Sequence, residues 1–202
     1  MGTRHLIVVV ANDEPKIAQY GQWDGYPEGQ GMTILNTLSH EDFDLEKFKS
    51  NVLNCRFLSE KEVEDKWVEC GAERGADWVD MNVSNVVLKI YPELSRDTGA
   101  KIIKLVYDGK ANELQNHIEF AKNSLWCEWA YVVDLDKNKF EVYKGFIKDP
   151  INEQERFYND GFSTKNSTGT YYPVELITSF DLLNLPSSSD FINYFDEPEE
   201  ED

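Results

Sequence analysis

The chain opens on a continuous apolar run, which predicts a buried β-strand. Residues 3–10 are rich in β-branched side chains and end at a turn sequence, Asn-Asp-Glu-Pro, over residues 12–15. Residues 16–20 continue as a second strand, so the pattern predicts an N-terminal β-hairpin. A loop with four glycines follows, at positions 21, 25, 29 and 31.

After this loop, the spacing of apolar residues changes from that of strands to that of helices. Apolar residues at helical spacing predict helices over residues 33–38 and 44–53. A capping box that begins at Ser59 predicts a third helix, which Gly71 would end. Ser84 is the expected cap of a fourth helix that runs to about Tyr91, before a proline.

The second half of the chain is richer in predicted strands. The pattern predicts a strand over residues 101–107, a helix over 112–123, a hairpin formed by 125–135 and 140–146, and a last strand over 172–180. Consecutive strands that are joined by hairpins are typical of antiparallel sheets. The order of elements therefore predicts an α+β fold with a largely antiparallel sheet covered by helices, and a sheet-on-sheet sandwich is the open alternative.

Length and charge limit the domain count and the class of partner. The 202 residues predict a single domain over residues 1–186 and an acidic tail over 187–202, which we expect to be disordered. The formal net charge is −18, and the seven acids from Asp190 onward account for only part of it. An acidic body repels the phosphate backbone and attracts basic surfaces, so we expect a basic partner protein and no direct nucleic acid. Acidity that serves solubility alone is the open alternative.

Three cysteines without a C-x-x-C spacing predict free thiols in a reducing compartment, so we expect a cytoplasmic protein. The apolar run near the N-terminus is too short to cross a membrane. The histidines and cysteines lack zinc spacing and no nucleotide-binding glycine motif occurs, so we expect neither a metal nor a cofactor. The spacing Asp134-x-Asp136-x-Asn138 resembles the opening of a calcium loop, but Lys139 stands where the loop needs glycine.

The likeliest functional surface is the loop over residues 19–33. It combines glycines, aromatic rings, amides and two carboxylates, and it contains no Lys or Arg. Such a surface suits a neutral polar ligand, a peptide or a basic side chain better than a phosphate. A turn whose aromatic rings cap the core is the structural alternative. The candidate binding residues are Gln19, Tyr20, Gln22, Trp23, Asp24, Tyr26, Glu28 and Gln30.

A second candidate is the sequence Thr3-Arg4-His5 on the first strand. An N-terminal hairpin followed by a loop and helices is similar in outline to the N-terminal-nucleophile hydrolases, in which a terminal Thr, Ser or Cys acts through its own free amine. Removal of the initiator methionine would expose Gly2, which has no nucleophile, so the resemblance implies an inactive relative rather than a working enzyme. Arg4 and His5 then remain as candidate binding residues, or as structural partners of nearby acids.

Aromatic residues of the second half form a further group. Trp126 and Trp129 are expected on opposite sides of one strand, and more aromatics follow between Phe157 and Tyr172. Core packing and a protein interface are both consistent with this group.

Two functional hypotheses follow. The first is a non-enzymatic acidic interaction protein that binds a basic partner, such as a phage-type inhibitor that covers the surface of a nucleic-acid-binding host factor. The second is an enzyme or ligand-binding domain with a pocket on the loop 19–33 and with Asp24 and Glu28 as its acids. The absence of a recognisable catalytic motif favours the first hypothesis.

Overall fold

The computed structural model describes residues 2–76, 80–158, 163–167 and 169–196. The strands are β1 (His5–Ala11), β2 (Glu14–Gly21), β3 (Arg56–Phe57), β4 (Glu113–Leu114), β5 (Trp129–Asp134), β6 (Lys139–Lys144), β7 (Thr164–Asn166), β8 (Gly169–Tyr171) and β9 (Glu175–Asp181). The helices are α1 (Met32–Leu38), α2 (Leu45–Leu53), α3 (Glu60–Glu69), α4 (Met81–Ile90), α5 (Lys101–Tyr107) and α6 (Ser188–Asp196). Shorter turns are the π-helix Pro27–Gly31 and the 3₁₀ helices Pro92–Leu94 and Ile118–Lys122.

Five strands form the main sheet, in the order β2-β1-β5-β6-β9. The β1–β5 pair is parallel, whereas the other three pairs are antiparallel. The sheet is therefore mixed, which is compatible with the α+β class but does not confirm the predicted antiparallel arrangement. A parallel pair is possible here because the helices between β1 and β5 let the chain return in the same direction. The two other sheets have two strands each, so a sandwich is not confirmed either.

Both faces of the central strands are buried, which explains the continuous apolar run near the N-terminus. Alternate residues of β1 point to opposite faces. Ile7 and Val9 belong to the core shared with α1, α2, α5 and α6. Leu6 and Val8 belong to a second core, which Ala121 of the 3₁₀ helix and Phe157 complete.

The predicted turn over residues 12–15 and the capping box at Ser59 are confirmed. Asn12 and Asp13 both have positive φ, at 56° and 59°, which is the backbone that a two-residue hairpin requires. Asp44 caps α2, and Ser59 forms the complete capping box of α3. The predicted 125–146 hairpin is confirmed as the antiparallel pair β5–β6.

Three elements after residue 80 differ from the prediction. Residues 101–107 form a helix, because Ile102, Ile103 and Val106 also satisfy a helical stripe and all three are fully buried. Residues 112–123 are not one helix but the short strand β4 followed by a 3₁₀ helix. Helix α4 begins before Ser84, because the Asp80 side chain accepts hydrogen bonds from the backbone N–H groups of the first turn.

The prediction of a disordered tail from residue 187 is wrong over residues 188–196, which form α6. Phe191 is fully buried, with its ring centroid 5.9 Å from that of Phe140 and 5.5 Å from that of Phe180. Three apolar residues at helical spacing (Phe191, Ile192 and Phe195) hold this helix on the core despite its polar flanks. Residues 197–202 lie outside the described residues, as does Phe162 of the aromatic group.

A buried charge cluster lies on the second face of the sheet. The Arg156 guanidinium donates to Asp134 Oδ2 at 2.5 Å and to Glu141 Oε2 at 2.9 Å, and Tyr143 Oη donates to Glu141 at 2.8 Å. Both carboxylates are buried. The Arg156 guanidinium therefore lies against the carboxylate of Asp134, the first residue of the calcium-like spacing.

No helix within the described ranges is both long and apolar enough to cross a membrane. The three cysteines are free and buried.

Candidate partner-binding groove

One row of paired residues crosses the end of the main sheet. His5 of β1 is paired with Gly21 of β2 on one side and with Trp129 of β5 on the other. Trp129 is paired in turn with Lys144 of β6, and Lys144 with Glu175 of β9. Residues paired in this way share a face of the sheet. The face is the one that carries Ile7 and the helices, and the loop after β2 folds over its end.

Backbone contacts hold this loop close to the sheet. Gly25 N donates to Thr3 O at 2.9 Å, and Tyr131 Oη donates to Gly25 O at 2.7 Å. A Cβ at Gly25 would lie 2.7 Å from Thr3 O, so only glycine fits there. Asp24 is in the left-handed region, with φ of 55°, and its carbonyl accepts from Gln30 N at 2.9 Å. The loop is therefore a fixed wall that leads through the π-helix into α1.

A groove of about 990 Å³ lies between this loop, the sheet end and α6. Three of its aromatic side chains are strongly exposed, with 50% of Phe146, 45% of Tyr194 and 41% of Tyr26 accessible. Exposed aromatic rings of this kind are the side chains that most often anchor a protein interface. The groove is lined by Tyr26, Pro27, Glu28, Trp129, Lys144, Gly145, Phe146, Ile147, Glu175, Leu176, Ile177, Tyr194 and Phe195.

Phe146 is held in a strained backbone conformation. Its φ is 61°, in the left-handed region that a bulky residue rarely adopts. Phe146 N donates to Ser124 O at 2.7 Å, and Ile147 N donates to Ser124 Oγ at 3.1 Å. The preceding Gly145 lies against Cys127 O, where a side chain would overlap. Strain of this kind that leaves an aromatic ring in solvent is a feature of binding sites.

Two carboxylates and one ammonium group are the charged groups that line the groove. Glu28 and Glu175 line it and are exposed, and Asp196 follows directly after Phe195. The Asp24 carboxylate raises the pKa of the neighbouring Tyr26 hydroxyl, as a negative local field should. Lys144 also lines the groove and takes part in an interaction within the chain. In sequence, Asp196 is followed by five further acids.

The structure divides the predicted loop residues between different roles. Tyr26 and Glu28 line the groove. Trp23 Nε1 donates to Asp97 at 2.8 Å, which fastens the indole to the segment before α5. Gln30 donates to Trp23 O and accepts from Ala100 N at 2.8 Å, so its amide is structural.

The first residues of the loop, 19–22, do not line the groove. Gln19 is buried, and its Nε2 donates to Ser95 O at 2.9 Å. Tyr20 Oη donates to Gln22 Oε1 at 2.6 Å, and the Tyr20 ring packs edge-on against Phe120. Tyr20 also lines a second, smaller cavity.

Arg4 and His5 differ in their surroundings. Arg4 pairs with Glu128 at 3.3 Å and lies 4.4 Å above the Trp126 ring, which confirms the structural pairing expected for it. His5 has no such partner: its ring is fully buried and neither nitrogen forms a hydrogen bond. Burial lowers the pKa of His5 to about 4, despite smaller opposing contributions from the Thr3 backbone and the Asp24 carboxylate.

The geometry gives little support to a catalytic pair. Glu28 lines the groove whereas Asp24 does not, so the two predicted acids do not face one cavity. Burial raises the pKa of Glu93, but this carboxyl lies near Lys66 and Glu113, away from the groove. No group of three or more His, Cys, Asp or Glu side chains is placed to hold a metal within the part of the chain that the structure describes.

No protein-family model, curated protein or solved structure matches the chain. The outline shared with N-terminal-nucleophile hydrolases is therefore not confirmed, and the groove has to be interpreted from its own chemistry.

Sequence reasoning missed half of the groove. Tyr194 and Phe195 lie in the segment for which the sequence predicts a disordered tail. Phe146 is the last residue of the strand predicted over residues 140–146. Trp129, one of the aromatics whose role was left open, lies between core and groove and packs edge-on against Phe195 at 6.0 Å. A signal was present in Gly145, since a glycine directly after a strand often precedes an irregular backbone.

Proposed function

We propose that the protein is a non-enzymatic interaction protein that binds a basic segment of a partner protein in the groove. The segment would insert an apolar or aromatic side chain between the aromatic walls and would place Lys or Arg beside Glu28 and Glu175. The observation that carries this proposal is the concentration of exposed aromatic rings, one of them strained at Phe146, within an acidic rim.

The expected energetics match this kind of partner. A Lys or Arg placed over an aromatic ring gains about 0.5–2 kcal/mol, depending on how far it is desolvated. Buried aromatic anchors dominate the affinity of most protein interfaces. The net charge of −18 would speed association with a basic partner and would make it sensitive to salt.

Side-chain insertion is favoured over the addition of a strand to the sheet. At the β9 edge, Tyr194 Oη donates to Ile177 O at 3.3 Å and Leu176 N donates to Glu155 Oε2 at 2.9 Å. At the β2 edge, His117 N donates to Ala18 O at 3.0 Å. Both edges are thus partly occupied, and an incoming strand would lose these bonds.

The partner chemistry supports a nucleic-acid-binding protein as the target. Such proteins carry Lys and Arg among aromatic residues on the surface that contacts phosphate and bases. A segment of that surface held in the groove would be withheld from nucleic acid, which is how an inhibitor of the phage-encoded type would act. The three free, buried cysteines support a reducing compartment such as the cytoplasm.

Selection from a displayed library of random peptides tests the proposal. The wild-type protein at low salt is the bait, and binding of each selected peptide is then measured by fluorescence anisotropy. The test variants are Phe146→Ala and the double variant Glu28→Gln/Glu175→Gln. The controls are Leu183→Ala, which removes a side chain that is 77% exposed, and Glu41→Gln, which removes an exposed acid outside the groove.

We expect enrichment of peptides that place Lys or Arg next to an aromatic or aliphatic residue. Both groove variants should weaken these peptides about tenfold or more, and high salt should weaken them further, whereas the controls should not. Selected peptides that are unaffected by the groove variants, or that lack basic residues, would contradict the proposal. The enzymatic alternative built on the loop 19–33 has less support, since its two acids do not share a cavity.

A further inference from the structure

A second cavity, of about 300 Å³, opens on the other side of residues 19–22. Hydrogen bonds between backbone groups fix its walls: Gln22 N donates to Arg96 O at 3.0 Å, and His117 N donates to Ala18 O at 3.0 Å. The Gln19 amide adds a buried bond to Ser95 O. The cavity therefore lies where three segments of the chain are tied together, and its shape does not depend on one mobile side chain.

Arg96 is the unusual residue of this cavity. The chain has five arginines, and four of them are paired with carboxylates at distances of 3.3 Å or less, namely Arg4, Arg56, Arg74 and Arg156. Arg96 is exposed, and no ion pair joins it to any residue that the structure describes. In a chain with 38 acids, an arginine that lines a cavity and has no ion-pair partner among the described residues is a position where an anion would be favoured.

The other polar side chains around Arg96 are mostly donors or neutral groups. Tyr20, Gln115, His117 and Trp67 line the same cavity. Burial raises the pKa of Tyr20, and the positive charges of Arg4 and, to a smaller extent, Arg96 oppose this effect. His117 Nδ1 lies 3.4 Å from Tyr20 N and 3.3 Å from Ala18 O, so the backbone fixes the ring orientation.

One acid, Asp97, also lines the cavity, but its carboxylate accepts from Trp23 Nε1 at 2.8 Å. The charges of Arg96 and Asp97 nearly cancel, so a ligand with one negative charge is better matched to the cavity than a ligand with two. A guanidinium binds a planar carboxylate through two parallel hydrogen bonds. The Trp67 and Tyr20 rings offer apolar surface for a flat ligand body.

We propose that the cavity binds a small organic carboxylate with a flat apolar body, held by Arg96 and packed against Trp67 and Tyr20. The volume is at the lower limit of small-molecule sites, which matches a single aromatic ring with its carboxylate. This site is separate from the groove and does not rest on the function proposed for it.

Nitrogen-15 NMR of the full chain, titrated with benzoate, tests the proposal. The probes for comparison are benzamide, which has the same shape without the charge, and inorganic phosphate. The expected result is saturable shifts of the Trp67 indole N–H and the Gln115 side-chain amide with benzoate, and much weaker effects of benzamide and phosphate. Arg96→Gln should weaken benzoate about 10- to 100-fold, because it removes a charge-assisted pair of hydrogen bonds.

Two further variants separate charge from geometry. Arg96→Lys should recover only part of the affinity, since an ammonium keeps the charge but lacks the planar fork. Lys101→Gln, which removes an exposed positive charge outside the cavity, should leave the titration unchanged. The proposal is overturned if benzoate gives no saturable shift, if benzamide or phosphate binds as well as benzoate, or if Arg96→Gln and Lys101→Gln behave alike.

Discussion

The buried histidine of β1 should make the stability of the protein depend on pH in a defined window. The His5 ring is fully buried and both of its nitrogens lack a hydrogen bond. Burial lowers its pKa to about 4 in the folded protein, against 6.5 in the unfolded chain. Because the unfolded chain takes up the proton first, stability is intact above pH 6.5 and is lost as the pH falls toward 4.

The size of the effect follows from the two pKa values. Each unit of difference corresponds to about 1.4 kcal/mol, so the loss is about 3 kcal/mol once the pH is below 4. At pH 5 the loss is about 2 kcal/mol relative to pH 8. Carboxylates with depressed pKa values, such as Glu62 at about 2, contribute at lower pH, below the usual range of a glutamate.

Urea unfolding of the wild type and of His5→Leu at pH 7.5, 6 and 5 measures the contribution of His5 to the pH dependence of the free energy of unfolding. The variant should lose about 2 kcal/mol less than the wild type between pH 7.5 and pH 5. At pH 7.5 it should be at least as stable, since leucine leaves no buried nitrogen unsatisfied. His117, whose pKa burial also lowers, acts in the same direction in both proteins and cancels in the difference.

His40→Gln is the matched control, because the His40 side chain is 62% exposed and its loss should leave the pH dependence as in the wild type. Parallel stability curves for the wild type and His5→Leu would refute the reasoning and would mean that the native ring accepts a proton as easily as the unfolded one.

Three further results are expected. Phe146→Gly should be more stable than Phe146→Ala by about 1 kcal/mol in thermal unfolding, because φ of 61° favours glycine, whereas glycine is ordinarily the less stable of the two. Arg156→Met should cost about 3–5 kcal/mol in urea unfolding, because Asp134 and Glu141 would be left buried without their partner. The thiols should not react with Ellman's reagent at pH 8 until the protein unfolds, because all three are buried and burial raises the pKa of Cys55 to about 11.

Each of these results has a clear contrary outcome. Equal stability of the two Phe146 variants would mean that the loop relaxes and that the strain is not held. Arg74→Met breaks an exposed ion pair and should cost under about 1 kcal/mol, so an equal cost at Arg156 would contradict the buried cluster. Rapid reaction of any thiol in the native state would contradict the packing around the cysteines.

The sequence predicts those parts of the fold that local chemistry determines. Both hairpins and the Ser59 capping box follow from turn residues and caps that act over a few positions. The strand predicted over residues 101–107 is wrong because the sequence Lys-Ile-Ile-Lys-Leu-Val-Tyr satisfies the strand and helix patterns equally well. Only packing against α2 decides between the two. The parallel β1–β5 pair is likewise set by contacts between distant residues.

The groove shows the same division. The glycine and aromatic content of the loop 19–33 predicts a functional surface, and Tyr26 and Glu28 of this loop line the groove. The opposite wall comes from α6, where serines and acids conceal a short apolar stripe around Phe191. Arg96 carries no signal in the sequence at all, since its lack of an ion-pair partner among the described residues becomes visible only in the folded chain.

The parallel contact between β1 and β5 has a consequence for the order of synthesis. The ribosome completes the hairpin β1–β2 early, but residues 12 to 134 must be added before β5 can cover the inner edge of β1. At about 5–20 residues per second, that edge waits roughly 6–25 s as a bare apolar strand, His-Leu-Ile-Val-Val-Val-Ala. An uncovered strand of this composition is a template for intermolecular pairing. Yield in the cell should therefore depend on holdase chaperones that shield β1 until β5 has been synthesised.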